Sequence, residues 1–111
     1  MHNFCKSLQN NSIDFAVIVN NRGREISGHG DYNLNDDKKH MMFMGLVLEM
    51  SMRKDLNNIE GEIDYIAAKR KNHMIMSIPY GENLLIVFAR PNEDPTKIVE
   101  FVRSREHFRW V

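Results

Sequence analysis

Met41-Met42-Phe43-Met44-Gly45-Leu46-Val47-Leu48-Glu49-Met50-Ser51-Met52 holds nine apolar residues in twelve and five of the chain's eight methionines. It follows Asn35-Asp36-Asp37, where Asn35 or Asp36 can cap a helix and the acids meet the positive end of its dipole. No Pro interrupts it, so the pattern predicts a helix running to about Lys54 or Asp55. A surface helix carries a broad polar stripe. Here only Gly45, Glu49 and Ser51 break an apolar surface that divides into two stripes. Met42, Leu46 and Met50 share one; Met41, Met44 and Leu48 share the other. A chain of 111 residues has a single core to offer. One stripe is therefore expected on the chain's own sheet and the other on a second subunit.

Upstream, Phe4, Cys5 and Leu8 lie at helical spacing within residues 3–9, a short helix that Asn10-Asn11-Ser12 should end. Ile13-Asp14-Phe15-Ala16-Val17-Ile18-Val19 is apolar on both parities after Asp14, as a central strand covered on both faces should be. Asn20-Asn21-Arg22-Gly23 suits a turn, and the more polar Arg24–Gly28 suits an edge strand. Gly28-His29-Gly30 lacks the spacing of a phosphate-binding loop, because Asn33 stands where a third glycine would be needed. It is expected to be a flexible exit, followed by a connecting loop from Asp31 to Asn35.

Downstream, Leu56 to Gly61 is expected to be a loop. Ile63–Arg70, His73–Ile78 and Asn83–Ala89 then read as three strands, joined by turns at Lys71-Asn72 and at Pro79-Tyr80-Gly81-Glu82. The last strand is again apolar on both parities. Asp94-Pro95 opens a final helix with Ile98, Val99, Phe101 and Val102 on one side, reaching about His107. The tail, Phe108-Arg109-Trp110-Val111, is apolar enough to dock.

Two strands apolar on both faces need helices on both sides of one sheet. With the strands numbered β1 (13–19), β2 (24–28), β3 (63–70), β4 (73–78) and β5 (83–89), the expected fold is an α+β sandwich. Its five-stranded antiparallel sheet has the order β2-β1-β5-β4-β3. One long helix covers one face, and the two terminal helices cover the other. The whole chain, 1–111, is expected to be one domain.

The remaining residues argue against several chemistries. Fifteen basic residues balance fifteen acidic ones, so overall charge points to neither nucleic acid nor a membrane. Apolar content of 42% is ordinary for a globular protein, and no uncharged apolar run approaches the roughly 20 residues that span a bilayer. The N-terminal residues lack a signal-peptide layout, and the single Cys5 allows no internal disulfide, so a cytoplasmic location is expected. His2, His29, His40, His73 and His107 are scattered singly, without the spacing of a metal site. Ser27 and Ser77 sit in no nucleophile elbow, and the pairs Asp36-Asp37 and Glu93-Asp94 are explained by capping. Lys69-Arg70-Lys71 reads as a charged hairpin tip. Arg103, Arg105 and Arg109, near Phe108 and Trp110, read as a cation-rich helix end more readily than as a nucleic-acid site. No catalytic residues, cofactor or metal are expected.

Phe15-Ala16-Val17-Ile18-Val19-Asn20-Asn21-Arg22-Gly23-Arg24-Glu25-Ile26, a long apolar helix, and a meander containing Ile78-Pro79-Tyr80-Gly81-Glu82-Asn83-Leu84-Leu85-Ile86-Val87 together resemble the Roadblock family. This family of dynein light chains and prokaryotic GTPase regulators belongs to the wider longin and profilin-like group. The likeness covers residues 4–107 and lies in element order and the two hairpins. It implies a non-enzymatic scaffold or regulator that homodimerises through the long helix and a neighbouring edge strand, with a small Ras-like GTPase as partner. Where such domains often carry small residues along the dimer helix, large methionines dominate here. The implied contact residues are Met41, Met42, Met44, Gly45, Leu46, Leu48, Met50 and Met52, with Tyr65 from the strand region. PAS-like sensor domains offer the alternative, a small-molecule pocket under the helix. They place several short helices between the second and third strands, where this chain has one long one.

Overall fold

Strands β1 (Ile13–Val19) and β5 (Asn83–Ala89) pair at the centre of the sheet, as their two apolar parities require. The computed structural model describes residues 2–10, 12–30, 32–105 and 108–109. Asn11, Asp31, His107, Trp110 and Val111, which figured in the expected breaks, loop and tail, lie outside them. Strand β2 (Glu25–Gly30) flanks β1, while β4 (Met74–Tyr80) flanks β5 and carries β3 (Ile66–Lys69) on its outer side. All pairs are antiparallel and the order is β2-β1-β5-β4-β3, as expected.

Alternation along the strands sorts two cores. Phe15, Val17 and Val19 of β1 oppose Phe88, Ile86 and Leu84 of β5 on one face, where helix α2 (Asp36–Arg53) lies with Phe43 and Met50 buried. Ala16, Ile18, Leu85, Val87, Met76 and Ile78 make the other face. It is covered by α1 (His2–Ser7), through Phe4 and Cys5 with Leu8 just beyond, and by α4 (Pro95–Ser104), through Ile98, Val99 and Val102. Phe108 docks the tail against Phe4 and Tyr80, with ring centroids 6.0 and 5.3 Å away.

Helix α2 begins where its cap dictates. Asn35 Oδ1 accepts a hydrogen bond from the Lys38 backbone N–H at 2.9 Å. Asn35→Ala should therefore cost about 1 kcal/mol in chemical denaturation; an unchanged midpoint would remove the cap from the account of this helix.

Four boundaries differ from expectation. Gly28-His29-Gly30 is no flexible exit but the second half of β2, paired with Val17, Ala16 and Phe15. Gly30 has φ +104°, and a Cβ there would stand 2.4 Å from the Asp14 carbonyl oxygen, so glycine lets the strands pass. Residues 54–60 remain helical instead of looping. A 3-10 turn, Lys54–Leu56, leads into the short α3 (Asn57–Glu60), and Gly61 at φ 88° ends it. Strand β4 runs through Pro79 to Tyr80. Its outer neighbour β3 reaches only Ser77, so Pro79 sits on an edge where its missing N–H is harmless. Ladder pairing of β3 starts at Ile66, three residues later than expected. Residues 63–65 are pinned by side chains instead. Ile63 packs on the α2 side and Tyr65 on the α4 side, while the Asp64 carbonyl accepts from Arg103 Nη2 at 2.8 Å.

Candidate partner interface

The expected contact residues divide sharply between two environments. Met50 is only 4% exposed, and Met42 and Leu46 pack against the same sheet-face cluster, so that stripe belongs to the chain's own core. Met41, Leu48 and Met52 are 73%, 50% and 72% exposed. With Gly45 they form one row along the outer surface of α2, about 16 Å long at a rise of ~1.5 Å per residue. Met44 lies half-buried at the side of this row. Tyr65 does not join it. Its ring packs with the α1 and α4 cluster, and its hydroxyl lies 3.4 Å from Thr96 Oγ1.

Gly45 is unexplained by the chain's own packing. A Cβ at this position would meet nothing within 4 Å, whereas an exposed glycine inside a helix costs roughly 0.5–1 kcal/mol relative to alanine. Sequence reasoning missed two further exposed apolar side chains, Leu56 and Ile59, at 57% and 79% exposed. They lie in the helical turns after α2, and the absence of Pro or Gly between Leu46 and Glu60 was the signal for them.

Strand β3 is the outermost strand of the sheet on the β4 side. Exposed Glu60 and Glu62 precede it, and exposed Lys69, Arg70 and Lys71 close it. Two of the arginines at the other end of the chain, Arg103 and Arg105, are engaged with neighbours. Arg103 pairs with Asp64, and the Arg105 guanidinium lies 5.6 Å from the Phe101 ring centroid.

The space beneath α2 is filled by Phe15, Val17, Phe43, Met50, Ile86 and Phe88. A concavity of about 170 Å³ opens at the end of the sheet, between Asn20, Val47, Met50, Pro79 and Leu84. Among the described residues, no three His, Cys, Asp or Glu side chains gather as metal ligands would, and no helix is long and apolar enough to cross a membrane. Cys5 is fully buried; burial pushes its thiol above the usual range, and its Sγ lies 3.8 Å from the Ser27 carbonyl.

No protein-family profile and no curated protein matches the sequence. Solved structures do. A Roadblock/LC7 domain from Streptomyces avermitilis superposes with a TM-score of 0.69 at 17% identity, covering 93% of this chain and 94% of that one. MglB from Myxococcus xanthus gives 0.71 at 14% identity, covering 92% and 84%. Profilin from Schizosaccharomyces pombe gives 0.67 at 14% identity, covering 92% and 90%. At such identities the likeness speaks for architecture. It agrees with the sheet order and with the placement of one long helix opposite two terminal ones. The chain has the α+β fold that Roadblock/LC7 domains and profilin share.

Proposed function

We propose that this chain is a non-enzymatic regulatory or scaffolding module. It homodimerises through α2 and the β3 edge, and the pair engages a protein partner, a small Ras-like GTPase by the family resemblance. The observation that carries the reading is the outer row of α2. Met41, Leu48 and Met52 stand open around a glycine whose missing side chain serves nothing within the monomer. Contiguous exposed apolar surface of this kind marks interaction sites. A helix glycine facing outward lets a second backbone approach closely.

The β3 edge supports the same arrangement. With Glu60 and Glu62 before the strand and Lys69, Arg70 and Lys71 at its end, an antiparallel pairing of two copies sets the acidic end of each beside the basic end of the other. Such a two-fold seam is self-complementary, as a symmetric dimer requires.

Sedimentation velocity at micromolar concentration tests the first half: a dimer is expected, and a monomer would sink it. Gly45→Ala gives a sharper reading. It should stabilise the isolated fold by up to about 1 kcal/mol while weakening self-association, because the new methyl fills the close approach. For the second half, capture from the source cell with the wild-type chain as bait should retain a Ras-like GTPase. Failure to retain one in either nucleotide state would leave the scaffold without that partner.

A further inference from the structure

The methionines occupy distinct environments. Met50, Met74 and Met76 are buried, at 4%, 3% and 0% exposed, whereas Met41 and Met52 are open and Met42 and Met44 intermediate. Peroxides oxidise thioethers according to access to the sulfur. Met41 and Met52 are therefore the chain's reactive pair among the described residues.

Their positions are related by symmetry. Met41, Gly45, Leu48 and Met52 are spaced four, three and four residues apart, a pattern that reads the same in both directions about a midpoint between Leu46 and Val47. In a two-fold seam, if residue i meets residue j of the second copy, then j meets i. Antiparallel α2 helices sharing that midpoint set Leu48 of each copy into the open space over Gly45 of the other. They also set Met41 of each copy against Met52 of the other. Both reactive thioethers then lie on the seam, in contact with each other.

We propose that Met41 and Met52 form a reversible oxidation site that disengages the α2-mediated dimer; this rests on the dimer reading given above. A sulfur lone pair attacks one peroxide oxygen, the S–O bond forms and the O–O bond breaks; the departing hydroxide then takes the proton from the S–OH so formed, leaving the sulfoxide and water. The sulfur is oxidised by two electrons and the peroxide is reduced by the same two. Each sulfoxide adds a strong hydrogen-bond acceptor to a seam whose side chains at these positions, Met, Leu and Gly, offer no donor. Reaction takes place on the dissociated chain, where both sulfurs are open, so oxidation draws the equilibrium toward monomer. A dithiol-driven methionine sulfoxide reductase returns both thioethers. Cys5 does not compete, being buried with little thiolate.

The test treats the full chain with hydrogen peroxide, maps oxidised peptides by mass, and follows the dimer by sedimentation. Met41 and Met52 should gain oxygen before Met50, Met74 and Met76, and the dissociation constant should rise at least about a hundredfold. Sulfoxide reductases acting on both epimers, with a dithiol, should restore it. A double variant, Met41→Leu with Met52→Leu, keeps the apolar row and should remain dimeric in peroxide. The proposal is overturned if oxidised wild type stays dimeric, or if the double variant dissociates as readily. Untreated wild type that is already monomeric overturns the dimer reading and this proposal together. Untreated dimer that resists peroxide overturns this proposal alone.

Discussion

Leu48→Glu should leave a folded monomer. Leu48 is half-exposed at the middle of the outer row, so the isolated fold loses little when a carboxylate replaces it. In the seam the same carboxylate would be stripped of water beside Gly45 and its neighbours with no cation to meet it, and the dissociation constant should rise about a thousandfold or more. Circular dichroism and the melting midpoint should barely move while sedimentation reports a single chain. A persisting dimer would place the seam elsewhere. Glutamate at Met42 or Leu46, positions equally attractive from the sequence, gives a less clear answer. Both side chains pack against this chain's own sheet, so a charge there attacks the fold itself and yields aggregate or unfolded protein.

Phe43→Ala should be the most damaging truncation in α2, costing about 3–5 kcal/mol by urea denaturation, most of the total stability of many small domains. Phe43 is 2% exposed and is the only aromatic residue that α2 inserts among Phe15, Val17, Ile86 and Phe88. Its loss leaves a cavity beneath the helix and frees the scaffold on which the outer row depends, so the dimer should weaken in parallel. A loss below about 1 kcal/mol would mean that the helix is not anchored by this ring. Met50→Leu, which conserves volume at the neighbouring buried position, should cost less than about 1.5 kcal/mol.

Most of the architecture was legible because the two central strands announce themselves. Ile13–Val19 and Asn83–Ala89 are apolar on both parities, and only a sheet covered on both faces satisfies that. The orientation of α2 was not legible. Both of its stripes are apolar, and hydrophobicity is blind to which side of a helix meets a twisted sheet. The choice falls to shape: Phe43 and Met50 fill the trough over Val17 and Ile86, and Met41, Leu48 and Met52 are left outside. Local signals also misled where tertiary context overrode them. Pro79 suggested a turn, yet it lies in a strand beyond the reach of β3, and the glycines of Gly28-His29-Gly30 serve close strand crossing rather than slack. Tyr65, placed by sequence near the strand edge, proved to belong to the opposite layer because Asp64 and Arg103 tie that segment to α4.

The irregular strand β2 has a consequence for growth. A chain that offers one sheet edge to a copy of itself runs the risk that its other edge will recruit a third, and then a fibre. Here the second edge is a poor template. The β1–β2 register slips between Ile18 and Val19, and the strand ends in Gly28 and Gly30, the latter in a conformation that a regular ladder does not use. Its one exposed large apolar residue, Ile26, stands beside that irregularity. If two copies join at β3 as proposed, that addition should not be repeated at β2, and the assembly should close at a finite size instead of polymerising.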